Sequence, residues 1–302
     1  AQTVLDALLT EAERLNVRLL RGHRVTAVER ADGGFLLQTS MGAISARRLV
    51  LATGGKSLPK TGSDGGGYAL ARRLGHSLVP TTPALAPLLL DEDFHVTLSG
   101  VSHEAELCLR AEGRKAERAR GALLWTHFGV SGPAAMNASR IWERARLEGR
   151  AVSVTADLLP GENAEKHLLA LISQKPGAQL SNALASLVPA RLAEALLRRL
   201  DIAPCVMAQL TKKSRRKLAR ALSEFPLPIR ASRGYDFAEA TAGGVPLSEI
   251  DPATMESRKC PGLYLVGEIL DVDGRIGGFN FQWAWSSGYV AGTALAAPLE
   301  RG

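Results

Sequence analysis

The sequence predicts an α/β protein in which one domain, built on a parallel sheet, is interrupted by an insertion of different style. Three observations carry this. The runs "RLVLAT" (residues 48–53) and "GLYLVGE" (residues 262–268) have the length and unbroken hydrophobicity of strands buried on both faces, and each meets glycine. A stretch of period-two alternation precedes the first run. Between about residues 81 and 233 the character changes to short alternating segments followed by Leu/Ala-rich helices.

The elements follow in order. Thr3 to Leu15 reads as an amphipathic helix, with Val4, Leu5, Leu8, Leu9, Ala12 and Leu15 on one face and Thr3 with Asp6 as a capping pair. "VRLL", Val17 to Leu20, reads as a short strand. From His23, "HRVTAVER", "GFLLQTS" and "GAISARR" predict a three-stranded antiparallel meander turning at "ADG" and "MG". "RLVLAT" then stops at Gly54-Gly55. Tyr68 to Leu74 reads as a helix with Gly75 at its C′ position. "PTTPALAPLLL" marks a boundary near Pro80.

Within the insertion, "AELCLRAEG" and "AVSVTADL" read as β-structure and "SGPAAMNASRIWERARLEG" as a helix. Glu162 to about Glu224 reads as helical. Strand character returns at "YDFAEATAGGV", and Phe281 to Ala297 closes the chain as a helix. The expected domains are 1–80 with 234–302, and an insert at 81–233, with a β-barrel over about 81–156 and helices over about 160–225.

Composition narrows the function classes. Hydrophobic residues make up 46% of the 302, enough for a core and too many for a disordered chain. The formal charge of +7 fits an anionic partner: a nucleotide, a nucleic acid or a membrane surface. Cys108, Cys205 and Cys260 are far apart, which argues against a zinc site and for reduced thiols in a cytoplasm. No apolar run is long enough to span a membrane. No signal peptide or initiator Met opens the chain, so a native N-terminus upstream is expected.

The candidate site follows from the strand ends. Ligands of open parallel sheets sit beyond the carboxyl ends of the strands. In "VGEILDVDGRIGGFNFQWAWSSG", Gly277 and Gly278 lead into a helix starting near Asn280. A helix N-terminus carries unpaired N–H groups and a partial positive charge, suited to dinucleotide phosphates or to the electron-rich edge of a reduced flavin. Glu268, Asp271 and Asp273 could accept hydrogen bonds from ribose or ribityl hydroxyls, or cap the loop.

"LATGGKSLPKTGSDGGGYALARRLGH", "WTHFGVSGPA", "TAGGV", "TMESR" and "GLYLVGEILDVDGRIGGFNFQWAWSSGYVAG" resemble the BaiN/YhiN-type family of NAD(P)/FAD-dependent flavoproteins through almost the whole chain. The resemblance implies an FAD-binding domain of the two-dinucleotide-binding type with a β-barrel-plus-helices insert. It also implies FAD as cofactor and NAD(P)H as electron donor. Val25 corresponds to a backbone contact with adenine, and Thr53, Gly54 and Gly55 to the turn near the dinucleotide. Gly267 and Glu268 correspond to the turn beside the ribityl chain, where Asp273 is a further candidate. Gly277, Gly278, Asn280 and Gln282 correspond to the flavin-facing helix start. Ile276 replaces a frequent threonine. The family's opening strand and GxGxxG loop are missing, the nearest match being "GSDGGG" from Gly62. The chain therefore reads as lacking a first βαβ unit and as binding FAD weakly or not at all alone.

Other candidates have plain readings beside functional ones. In the segment with His127 and Ser131, His127 is a substrate-side acid or binding group, or the segment is a barrel-to-helix corner set by Gly132 and Pro133, the corner being preferred. His76 reads as structural. Lys56 and Lys60 attract phosphates or are solvated. Tyr68 reaches the site or packs in the core. Trp283 and Trp285, at i and i+2, cannot share a face. Cys260 has no redox partner near it in sequence. "TKKSRRKLAR", with Lys212, Lys213, Arg215 and Arg216, is an RNA or DNA patch or a solvated helix face; it has no interleaved aromatics.

The reading reached is an FAD-dependent oxidoreductase. It passes hydride from NAD(P)H through flavin N5 to an unsaturated or carbonyl-conjugated small molecule. The alternative is a flavin-containing nucleic-acid-associated module using helix 211–220. No catalytic acid, metal site, particular substrate or oligomeric state is assigned.

Overall fold

The computed structural model describes residues 2–112 and 116–296. Helix α1 (Gln2–Arg14) forms where its periodicity predicts, yet none of its residues is buried. The expected capping pair is not made: Asp6 accepts from Gln2 Nε2 at 2.7 Å. "VRLL" is not a strand. A strand needs a ladder partner, and instead the Val17 amide donates to Ala12 O at 2.8 Å, which ends the helix. The apolar side chains of this segment stay exposed.

Strands β1 (Val25–Ala31), β2 (Gly34–Thr39) and β3 (Gly42–Ala46) form the expected antiparallel meander, with Val28 opposite Leu37 and Leu37 opposite Ile44. Strand β4 (Leu49–Leu51) follows. Helix α2 (Gly66–Arg73) ends in a Schellman motif: Gly75 lies at φ 93°, with Gly75 N to Arg72 O at 3.0 Å and His76 N to Ala71 O at 3.1 Å.

Next come β5 (Val79–Ala84), β6 (Leu88–Leu90), β7 (Ser102–Ala111), β8 (Glu117–Thr126), β9 (Gly129–Ser131), α3 (Gly132–Leu147) and β10 (Val152–Asp157). Four helices follow: α4 (Ala164–Gln174), α5 (Leu180–Leu184), α6 (Ala190–Arg199) and α7 (Lys212–Ser223). The chain closes with β11 (Phe225–Pro226), β12 (Ile229–Ser232), β13 (Ala240–Gly244), β14 (Leu263–Leu265) and α8 (Phe279–Ala296). Helix α8 begins two residues earlier than predicted; its expected end at Ala297 lies outside the described residues.

Seven strands form one antiparallel sheet in the order β11-β10-β7-β8-β9-β6-β12. Its two edge strands are separated in sequence only by Leu227 and Pro228, so the sheet curls until its edges approach. No ladder joins β11 to β12 among the described residues. The curl is therefore open where a barrel is expected from the sequence.

Two large apolar clusters result. One runs from Leu88 to Leu227 and packs α3 and the later helices against the curled sheet around Trp125 and Trp142. The other gathers Val28 to Leu74 with Val245 to Ala291. A small seam of Ala84, Leu85, Met136, Ala240 and Ala242 lies where β5 and β13 pair antiparallel beside α3. Strands β4 and β14, from opposite ends of the sequence, pair in parallel with Leu49 opposite Leu263 and Leu51 opposite Leu265. That pairing brings their two glycine turns side by side and creates the site.

Candidate functional site

Beyond β4 and β14 the turns are held by one carboxylate. Glu268 Oε2 accepts the Gly55 amide at 2.9 Å, and Oε1 accepts the Thr241 amide at 2.6 Å. Thr241 Oγ1 in turn accepts the amides of Lys56 (2.8 Å) and Ser57 (3.2 Å). Burial raises the Glu268 pKa, and the two amide bonds oppose that rise. The carboxylate assigned from sequence to a ligand hydroxyl thus already clips three segments together. Burial also pushes the Tyr68 phenol up, reinforced by the Glu268 charge; its hydroxyl lies 3.4 Å from Glu268 O. Lys56 Nζ sits 5.9 Å from the Tyr68 ring and 5.7 Å from that of Tyr235.

Helix α8 packs its first turns on the same end of the sheet. Trp283 Nε1 donates to Gly267 O at 3.1 Å, and the Gly267 amide donates to Ser287 Oγ at 2.9 Å. Gly277 and Gly278 enter the helix at φ 122° and 87°, where an L side chain is strained. The amides of residues 278–281 meet no acceptor among the described residues. The helix therefore presents a set of free donors at its positive end.

Two residues assigned to the ligand brace this loop. Asn280 Oδ1 accepts the Gly274 amide at 2.8 Å, and its Nδ2 donates to Gly274 O at 3.2 Å. Asp273 pairs with Arg140 on α3, and Arg140 Nη2 donates to Asp273 O at 2.9 Å. The Ile276 amide donates to Asn137 Oδ1 at 2.9 Å. Gln282 is exposed and donates to Ser286 Oγ at 2.9 Å. Trp283 turns inward while Trp285 is 51% exposed; Phe281 and Tyr289, four residues either side of Trp285, are 74% and 77% exposed.

The structure thus brings Gly54, Gly55, Gly267, Glu268 and the Gly277–Gly278 entry to one end of the β4–β14 pair. Thr53 is exposed beside them and packs on Gly67, where a Cβ would stand 1.8 Å from Thr53 Oγ1. Val25 begins β1 opposite Thr39, half-buried in the meander rather than in the clip. Sequence reasoning missed Thr241, Arg140 and Asn137 as bracing residues. Thr241 stands in the quoted "TAGGV", but its partners are distant in sequence and leave no local periodicity.

A second polar cluster has the order of a nucleophile, base and acid. Ser257 Oγ lies 2.8 Å from His76 Nε2, and His76 Nδ1 lies 2.7 Å from Glu249 Oε2. Ser257 Oγ also accepts the amides of Lys259 (3.1 Å) and Cys260 (2.9 Å), so its own hydrogen goes to His76. All three side chains are buried, which makes this a sealed strut between α2 and residues 249–260. His127 is exposed at the β8–β9 turn, and Ser131 precedes α3 without a side-chain cap bond. The basic run becomes α7, where Arg215 approaches Glu165 (3.5 Å) and Lys217 Nζ donates to Leu200 O (2.5 Å). The three cysteines are free. Among the described residues no cluster could hold a metal ion, and no helix is long and apolar enough to cross a membrane.

Parallel strands ending in glycine turns, with a long helix entered through two left-handed glycines, define a protein of Rossmann type. The chain belongs to the HI0933-like family: a family model described as "HI0933-like protein Rossmann domain" matches residues 1–294. A Clostridium scindens protein named 3-dehydro-bile acid delta(4,6)-reductase is 36% identical over 98% of this chain and 73% of its own length. An Escherichia coli protein named ribosomal RNA dihydrouridine synthase is 36% identical over 98% of this chain and 72% of its own. A Haemophilus influenzae protein of the same name is 32% identical over 98% and 73%.

Proposed function

We propose that the protein is an FAD-dependent reductase of a carbon–carbon double bond conjugated to a carbonyl, with NAD(P)H as electron donor. The observation that carries this is the set of free amides at the start of α8, aimed from the same sheet end as the Gly54–Gly55 and Gly267 turns. Their donors fit the electron-rich edge of an isoalloxazine, and among the described residues nothing lies within 4 Å of where a Gly278 Cβ would stand. Gly54, Gly55, Gly277 and Gly278 would hold the cofactor, with Thr53 beside them. When bound, FAD supplies the hydride chemistry. The protein's part is to fix the sheet ends through Glu268, to set the positive helix end against developing negative charge, and to keep the site shaped.

The names of the relatives support the substrate class. A 3-oxo steroid with 4,6 unsaturation and the C5=C6 bond of uracil are both double bonds conjugated to a carbonyl. Reduction of either adds hydride to the carbon remote from the carbonyl and a proton to the nearer one. The preferred substrate is a small unsaturated ketone. The two dihydrouridine synthase names favour a uracil ring as the second reading. On helix α7, Arg215 and Lys217 already have partners within the protein.

The test is anaerobic mixing of the native full-length protein with NADPH or NADH. Bleaching of flavin absorption is expected, followed by recovery on adding a steroid dienone or, for the second reading, uridine-containing RNA. A full-length protein without flavin bands sinks the proposal.

A further inference from the structure

A groove of about 550 Å³ lies where α3 and β8 face the loop before α8. Five arginines line it: Arg118 and Arg120 from β8, Arg140 and Arg144 from α3, and Arg275 from the loop. Among the described residues two carboxylates, Glu117 and Asp273, share the lining. Three of the arginines have partners. Arg118 pairs with Glu106, Arg140 with Asp273, and Arg144 donates to Pro80 O at 2.9 Å. The Arg120 side chain makes no hydrogen bond or close ion pair among the described residues, its charge acting only at longer range on Asp157, and Arg275 lies over the Phe279 ring, 4.9 Å from its centroid. Like charges gathered in one concavity repel, and an anion seated among them relieves that repulsion.

We propose that this groove docks the phosphates of NADPH, with the nicotinamide end directed toward the α8 tip. The inference rests on the reductase reading and names its donor. The lining has three more positive than negative groups. A substrate carboxylate neutralises one. NADPH brings about two charges on its 2′-phosphate and about two more on its pyrophosphate, about four in all and enough to cover the whole excess. NADH, with the pyrophosphate alone, leaves part of the excess bare. Guanidinium forks suit phosphate oxygens bidentately. Among the described residues no aromatic side chain lines the groove, so these residues offer no base-stacking platform of the kind single-stranded nucleic acids use. Arg275 precedes Gly277 by two residues, which joins the groove to the free amides of α8.

The test is calorimetric titration of the full-length, flavin-loaded protein with NADP⁺ and NAD⁺. The variants are Arg120→Ala and Arg275→Ala, with Lys213→Ala on α7 as charge control. NADP⁺ is expected to bind more tightly than NAD⁺. Each groove variant should weaken NADP⁺ roughly tenfold, the scale of one charge-assisted hydrogen bond, while the control changes nothing. Flavin absorption and thermal midpoint should stay at the parent values. NADP⁺ affinity unchanged in both groove variants overturns the proposal, as does flavin-loaded protein that binds no NADP⁺. A short oligoribonucleotide whose binding falls in these variants while NADP⁺ binding does not also overturns it, in favour of a nucleic-acid groove. The reductase reading fails by a different signal, absence of flavin or of its reduction by any donor, so the two failures are separable.

Discussion

Glu268 accepts the amide hydrogen of Gly55 at 2.9 Å across 213 residues of sequence, and its other oxygen holds Thr241. The parallel β4–β14 pair is only three residues long, so this carboxylate is a large part of what fixes the two turns. Glu268→Gln turns an amide NH₂ toward one of the two N–H groups, leaving donor against donor. The expected cost is about 1–3 kcal/mol in urea unfolding, with lower flavin content in the native protein. An unchanged unfolding midpoint would show that the clip is incidental.

Glu249 is expected to make the fold sensitive to acid. Burial opposes its ionisation, but hydrogen bonds from Lys259, Ser77 and His76 outweigh burial and hold its pKa at about 2, against an ordinary 4.5. A depressed carboxylate stabilises the fold fully above its unfolded value, and that contribution is lost as pH falls from 4.5 through about 2. The loss is expected to be on the order of 3 kcal/mol. Glu268, raised by burial, carries the opposite sign: its contribution is fullest below its unfolded value and falls as pH rises through its folded one. Thermal midpoints of the parent should therefore drop steeply across the acid window, and those of Glu249→Gln should start lower and fall less. Parallel curves would remove Glu249 from the account.

The same sealed strut predicts the consequence of deleting its centre. His76→Ala leaves Ser257 and Glu249 buried without their shared partner. Glu249 keeps Lys259 and Ser77, so the expected destabilisation is about 1–3 kcal/mol, from the two lost hydrogen bonds and the unpaired buried Ser257 hydroxyl. Unfolding monitored by tryptophan fluorescence measures it. A cost below that of an exposed substitution would show that the cluster is not a strut.

What is legible in the sequence is local. The meander, β4, β14, α8 and the Gly75 cap follow from periodicity and turn chemistry, and the structure has each within a few residues. What is not legible depends on distant pairing. The β5–β13 ladder includes two prolines in β5, which argue against a strand on local grounds. "VRLL" has a strand's composition and no ladder partner in the described chain. Glu268, Asp273 and Asn280 stand out in the sequence as polar groups beside a glycine entry, yet their partners Gly55, Arg140 and Gly274 decide whether they face a ligand or the protein. That choice has no sequence period.

Gly67 tests the packing behind the Thr53 turn. A Cβ there meets Thr53 Oγ1 at 1.8 Å and Thr53 Cβ at 2.6 Å, contacts no side chain tolerates. Gly67→Ala is expected to cost about 1–3 kcal/mol or more by overpacking. Removing the obstructing side chain in the Gly67→Ala, Thr53→Gly double variant should recover much of that in melting experiments. Additive losses would mean that the strain lies elsewhere in α2.

Gly278 separates ligand contact from backbone strain at the α8 tip. Its φ is 87°, and among the described residues nothing lies within 4 Å of the point where a Cβ would stand, so these leave room for alanine. Gly22 offers a matched control: φ 74°, equally open, in the turn before the meander. Alanine at either should cost about 1–2 kcal/mol of backbone strain and no steric clash. If the free amides of α8 face an isoalloxazine, Gly278→Ala should also place a methyl against that ring, and flavin affinity should fall well beyond the Gly22→Ala value. Equal flavin affinity in the two variants would mean that the tip of α8 faces open solvent, and the flavin site would have to be sought away from the glycine entry.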